Sequence, residues 1–138
     1  RIGSRLTLLF VDLDNFKQIN DTLGHESGDI TLKAAAAVLK DSLRQADILG
    51  RLGGDEFAAL LAESSNAPDD TSIHDRLREN LTRQNQTLPA DFPLELSYGF
   101  AHLEPEHPRT LDELLAEADK HMYLAKQKKK AARPPDSD

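Results

Sequence analysis

The sequence predicts an α+β fold, a mostly antiparallel sheet with helices on one or both faces. Three observations carry this. Leu6 to Leu13 is nearly all apolar and runs into carboxylates; two short apolar runs flank Gly53-Gly54; and stretches with apolar residues at spacings of three and four lie between and after them. The implied order is strand, helix, helix, hairpin, helix, strand, helix.

Leu6 to Leu13 lacks a polar face, as expected of a strand covered on both sides. Asp14 then suits a helix N-cap, Phe16, Ile19 and Leu23 recur at helical spacing, and Gly24 offers a left-handed stop. The next helix carries Leu32, Ala35, Ala36, Leu39 and Leu43 as its apolar stripe, with Lys33, Lys40 and Asp41 off it and Arg44 at its polar end. Ile48 to Leu52, Gly53-Gly54 and Phe57 to Leu61 read as a tight hairpin with Asp55 and Glu56 at its tip. Ala62 to Thr71 is loop-like, and Ile73 to Leu88, polar but with Leu77 and Leu81 at helical spacing, predicts a surface helix. Leu94, Leu96, Tyr98 and Phe100 alternate along a strand from Leu94 to Leu103, which Pro105 and Pro108 end. Leu111, Leu114, Leu115, Ala118, Met122 and Ala125 mark an amphipathic helix. The chain turns basic from Lys126; one domain is expected over 1–130 and a disordered tail over 131–138.

Composition narrows the function. The 138 residues carry 17 Lys+Arg against 24 Asp+Glu, a net charge of −7. That field repels nucleic acid and anionic membranes, so neither is an expected partner, and phosphates would have to be handled locally, through metal ions. The absence of cysteine excludes disulfides, thiolate catalysis and Cys-based zinc sites, and makes the cytoplasm the expected compartment. No apolar run nears the ~18 residues of a membrane span. The start, Arg1-Ile2-Gly3-Ser4, is no signal peptide and lacks Met, so a longer parent, itself open to membrane anchoring, is expected.

Asp12 and Asp14 close one strand and Asp55-Glu56 tip the hairpin. Should the hairpin pair beside that strand, four carboxylates converge, a costly cluster unless hard divalent cations neutralise it, and such ions bridge to substrate phosphates. Gly53 and Gly54 would permit positive φ and close approach of a ligand to the backbone. Equally, Asp12 and Asp14 can be a turn and a cap, and Asp55-Glu56 a solvated tip. The histidines at 25, 74, 102, 107 and 121 show no metal-binding spacing, and the stretch Gly24 to Thr31 lacks the lysine of a P-loop.

The run Asp12-Leu13-Asp14-Asn15-Phe16-Lys17-Gln18-Ile19-Asn20-Asp21-Thr22-Leu23-Gly24-His25-Glu26-Ser27-Gly28-Asp29, followed by Arg51-Leu52-Gly53-Gly54-Asp55-Glu56-Phe57, resembles the GGDEF domain of diguanylate cyclases. Ser97 to Ala101 and Ala118 to Lys126 are similar to that family's last strand and helix. The resemblance implies a ferredoxin-like, polymerase-palm-like sheet, as in class III nucleotidyl cyclases. It further implies an enzyme that joins two GTP into cyclic di-GMP and releases two pyrophosphates.

Carried over by position, the resemblance makes Asp12, the Leu13 carbonyl, Asp55 and Glu56 the ligands of Mg²⁺ or Mn²⁺, two ions per half-site. Asp55 and Glu56 become the catalytic pair, either of which could serve as base. Asn20 and Asp29 would read the guanine edge, since a carboxylate accepts from N–H groups that adenine lacks. Phe16 and Lys17 would offer backbone N–H groups to the phosphates, Gly53 and Gly54 would lie along the substrate, and Lys126 would meet the triphosphate. The family commonly has a Gly-Arg-Asn stretch after the Lys126 position; here the run Lys128-Lys129-Lys130 lies in that region, with Lys130 in place of a phosphate-binding arginine. Arg44 and Asp47 match the inhibitory Arg-x-x-Asp site that binds the product. Each domain would hold one GTP, so a homodimer is the expected catalytic unit, although the family's opening segment and upstream dimerising module are not seen here. The alternative is a catalytically silent GGDEF domain that binds GTP or cyclic di-GMP as a regulatory module.

Overall fold

The computed structural model describes residues 5–62, 70–89 and 93–132. Its elements are β1 (Leu6–Leu13), α1 (Phe16–Leu23), α2 (His25–Ser42), β2 (Ile48–Arg51), β3 (Glu56–Ala62), α3 (Asp70–Asn85), β4 (Leu96–Leu103) and α4 (Leu111–Ala132). The strands form one sheet in the order β2-β3-β1-β4, with every neighbouring pair antiparallel. β1 lies between two other strands and packs side chains into the core on both faces of the sheet, which is why its sequence shows no polar side.

Alternation along β1 divides the core. Leu9, Val11 and Leu13 face α2 and α3, packing with Val38, Leu39 and Leu77, while Leu8 and Phe10 face α4 through Leu114, Ala118 and Met122. Helices therefore cover both faces. Burying a leucine as fully as Leu9, which has no exposed surface, stabilises the fold by about 1.5–3 kcal/mol. On the α4 side the backbones themselves meet: a Cβ at Gly99 would lie 2.3 Å from the Ala118 carbonyl oxygen and 2.4 Å from the Met122 nitrogen.

Five expectations about elements change. α2 buries Ala34, Ala35, Val38 and Leu39, with Leu32, Ala36 and Leu43 only partly covered, because the run Ala34 to Ala37 offers no apolar contrast from which to read a face. α3 starts at Asp70, β4 starts at Leu96, and α4 continues to Ala132, past the expected boundary at 130. The rest of the tail, 133–138, and most of the loop after Ala62 lie outside the described residues. Asp14 is not the cap of α1: Asn15 holds that place with φ 61° and ψ 22° and makes no side-chain cap. Among the described residues, no helix is long and apolar enough to cross a membrane.

Candidate active site

Pairing within the sheet brings the carboxylates together. Asp12 stands opposite Glu56 in the β1–β3 register, and directly opposite residues point to one face of an antiparallel pair. The hairpin tip is tied back to β1 by the Leu13 amide, which donates to the Asp55 carbonyl at 3.0 Å. Leu52 N–H donates to the Glu56 carbonyl at 2.9 Å, and the Arg51 guanidinium donates to the carbonyls of Gly53 and Gly54 at 3.0 and 2.8 Å. The Arg51 clamp was not anticipated from sequence. Gly53 and Gly54 do not use left-handed backbone, which among the described glycines occurs at Gly24, with φ 93°. Gly54 instead leaves open space where a Cβ would stand, and at Gly53 that Cβ would lie 3.2 Å from Glu56 Oε1.

Asp12 accepts from Lys126 Nζ at 2.7 Å through Oδ2, while its Oδ1 is buried with no hydrogen-bond partner. Burial raises its pKa above the ordinary carboxylate range; the Lys126 bond opposes this, and the neighbouring Asp55 carboxyl adds to the rise. Burial alone would lower the Lys126 pKa, but the bond to Asp12 and the charges of Asp12, Asp14 and Asp55 leave it raised.

An orphaned carboxylate oxygen beside a second carboxylate is a place that a hard cation satisfies, and the donors here are all oxygen. Among the described residues, no three His, Cys, Asp or Glu side chains are gathered closely enough to hold a metal ion. Backbone carbonyl, water or phosphate oxygens would complete the coordination, the usual manner of Mg²⁺. The residues fit the ion in that sense.

Asp14 is buried. Ser97 Oγ donates to its two carboxylate oxygens at 2.8 and 3.0 Å, Lys129 Nζ donates to Oδ2 at 2.8 Å, and the Asp14 amide donates to the Glu95 carbonyl at 2.9 Å. Next to it, the first turn of α1 has neither a side-chain cap nor an acidic residue, so the amides of Phe16 and Lys17 stand at an uncapped N-terminus that favours anions. Asp14, Asn15, Lys126, Lys129 and Lys130 line a cleft of about 30 Å³ there. The expected Lys126 and Lys130 are thus joined by Lys129, which sequence reasoning left out. Its spacing from Lys126, one turn along α4, is the signal that could have found it.

Of the predicted guanine readers, Asn20 packs against the glycine that precedes Asp29. A Cβ at Gly28 would fall 1.8 Å from Asn20 Oδ1, so Asn20 occupies the space that Gly28 leaves, beside the exposed Asp29. Gly24 makes the turn between α1 and α2, and its amide donates to the Asn20 carbonyl at 2.9 Å.

Arg44 and Asp47 also come together, at the end of α2. Asp47 Oδ2 accepts from the Arg44 amide at 2.8 Å, Oδ1 accepts from the Ala62 amide at 3.2 Å, and the Arg44 guanidinium donates to the Ala62 carbonyl. The pair therefore ties the α2–β2 loop to the end of β3. Of the histidines, His102 joins Thr7 to Asp70, at 2.9 Å on each side, and takes no part in the carboxylate cluster.

Comparison with known proteins identifies the family. The family model for the diguanylate cyclase GGDEF domain matches residues 1–132. Diguanylate cyclase TpbB of Pseudomonas aeruginosa is 39% identical over 130 residues, which are 94% of this chain and 30% of that protein. The chain thus spans about a third of the length of such curated relatives. The solved GGDEF domain of TpbB superposes with TM-score 0.76 at 39% identity, covering 91% of this chain and 73% of that one. A microbial GGDEF domain solved in a study of its interaction with cyclic di-GMP is 30% identical, with TM-score 0.61 over 91% of this chain and 74% of that one. By its sequence motifs, its sheet and the family model that covers it, the chain belongs to the GGDEF domain family of the diguanylate cyclases.

Proposed function

We propose that this chain is a catalytic GGDEF domain that condenses two GTP into cyclic di-GMP and two pyrophosphates. The observation that carries the reading is the pairing of β1 with the hairpin, which sets Asp12 beside Asp55 and Glu56, with an unsatisfied Asp12 oxygen and a cleft lined by Lys126, the lysine that bonds Asp12.

In this reading Asn20 and Asp29 hold guanine, and the amides of Phe16 and Lys17 with Lys126 and Lys130 hold the triphosphate. Asp12, the Leu13 carbonyl, Asp55 and Glu56 would hold Mg²⁺ or Mn²⁺, two ions per half-site, whose chemistry is to activate a hydroxyl and neutralise charge on the phosphates. Each domain presents one GTP to an antiparallel partner. The 3′-oxygen of one nucleotide bonds to the α-phosphorus of the other, the bond from that phosphorus to the bridging oxygen breaks, and pyrophosphate leaves with its electron pair. Asp55 or Glu56 takes the hydroxyl proton. Two such steps close the ring. Arg44 and Asp47 form a product site: the guanidinium suits guanine or phosphate oxygens, and product would have to compete for groups that now hold the end of β3. The expected location is the cytoplasm.

The test is incubation of concentrated protein with GTP and Mg²⁺ and chromatography of the products. Cyclic di-GMP and pyrophosphate in a 1:2 ratio, absent with Asp55→Ala, support the reading, and Arg44→Ala should relieve inhibition by added product. No product, even when a fused coiled coil forces dimerisation, would favour a silent nucleotide-binding regulator.

A further inference from the structure

Lys126 has two claims on it. It bonds Asp12 at 2.7 Å and stands 3.8 Å from Asp14 Oδ1, whereas its proposed task is to meet the triphosphate. An ammonium held between two carboxylates is poorly placed to leave them. Asp14 is also the more demanding of the two, because its side chain is only 6% exposed and a buried carboxylate without a cation is strongly unfavourable.

The structure supplies that cation from the next turn of α4. Lys129 Nζ bonds Asp14 Oδ2 at 2.8 Å and also donates to the Leu96 carbonyl, at the first residue of β4. Ser97 Oγ donates to both oxygens of the same carboxylate. Asp14 is thereby served without drawing in Lys126. Asp12 is left as Lys126's principal partner, and that is the carboxylate a divalent ion would take over when nucleotide arrives.

We propose that Lys129 is a positioning residue that neutralises Asp14 and so keeps Lys126 available to the nucleotide triphosphate. The inference rests on the reading of Lys126 given under the proposed function. It assigns Lys129 no contact with substrate. Were Lys129 removed, Lys126, already 3.8 Å from Asp14 Oδ1, would be the ammonium left to neutralise it, and an ammonium engaged by Asp14 is less free to pair with the triphosphate.

The experiment is titration calorimetry with a non-hydrolysable α,β-methylene analogue of GTP in Mg²⁺, which reads binding without turnover. Lys129→Met should weaken binding about fivefold, the scale of one partly exposed ion pair. Lys129→Arg should bind as the parent does. Asp14→Asn introduced into Lys129→Met should restore most of the loss, since an uncharged amide still accepts from Ser97 but no longer attracts Lys126. In a Lys126→Met background, Lys129→Met should have little further effect. A scaffold role alone would also be relieved by Asp14→Asn, but it predicts the same loss from Lys129→Met whether or not Lys126 is present, and that result overturns the inference. Equal binding by the parent and Lys129→Met, or a double variant no better than Lys129→Met, overturns the inference while leaving the nucleotide reading intact. A folded parent that does not bind the analogue overturns both.

Discussion

Gly28 contributes no functional group, yet Asn20 can lie where it does only because position 28 has no side chain. A methyl there would stand 1.8 Å from Asn20 Oδ1, far inside contact distance, while the backbone at Gly28 is ordinary helix. Gly28→Ala should therefore displace Asn20 without unfolding α2. Affinity for GTP should fall about tenfold, the scale of one lost hydrogen bond to a polar base edge, with little change in Tm; equal affinity would remove Asn20 from base recognition. Residues of this kind mark the limit of what a sequence tells. Asp12, Asp55 and Glu56 were legible as a cluster because strand pairing alone brings them together. Asp14 was read both as a member of that cluster and as a cap, and its buried bonds to Ser97 and Lys129 appear only once β4 and α4 are packed against the end of β1. Lys129 was hidden by its neighbours: in a run of three lysines, composition does not say which one turns inward.

At the scale of elements, α4 matters most to the site, because it carries Lys126, Lys129 and Lys130 to the end of β1. Its start is fixed by a reciprocal cap: the Thr110 amide donates to Glu113 Oε1 at 2.9 Å, and the Glu113 amide donates to Thr110 Oγ1 at 3.1 Å. Arg109 Nη1 adds a 2.6 Å bond to Glu117. The amide and hydroxyl of Thr110 hold Glu113 below the usual carboxylate range, and the Arg109 bond does the same for Glu117. A lowered carboxylate pKa stabilises the fold above the unfolded pKa, here about 4.5, and that contribution is lost as pH falls through the folded value. Glu113→Ala should thus lower Tm at pH 7, and the gap from the parent should close below about pH 4; a gap constant with pH would exclude the ionised cap. Further along, Gly99 lets α4 touch β4. Gly99→Ala forces a methyl against backbone atoms at 2.3 and 2.4 Å that cannot rotate away, and should cost about 1–3 kcal/mol, read as a Tm lower by roughly 3–12 °C. Sequence pattern disclosed β1, the hairpin and the core of α4 because their periodicities are clean. On α2 it found Ala35 and Leu39 in the core and Leu32, Ala36 and Leu43 packed against it, but missed Ala34 and Val38, where consecutive alanines make neighbouring faces look alike.

For the whole molecule, the governing constraint is that one domain holds half of the proposed reaction. An attacking 3′-oxygen and the phosphorus it meets belong to different nucleotides, and each would be bound by a different copy. Each copy carries a net charge of −7, so approach is opposed by a long-range repulsion that the lysine-lined cleft offsets only locally. Two consequences follow for the chain by itself. At low protein concentration the rate of cyclic di-GMP formation should rise with the square of concentration, doubling the protein giving about four times the product, because the active species is a minor dimer obeying mass action. Raising ionic strength from ~0.01 to ~0.15 M shortens the screening length from about 30 to about 8 Å and should increase that rate, provided GTP is saturating so that weaker phosphate binding does not mask the gain. Both are measured by following pyrophosphate release across a dilution series at two salt concentrations. A specific activity independent of dilution, at concentrations where light scattering shows the chain to be monomeric, would place the whole reaction within one copy, and the antiparallel pair would have to be given up. A second-order rate that falls with salt at saturating GTP would keep the pair but show that oppositely charged surfaces, not net charge, control the encounter.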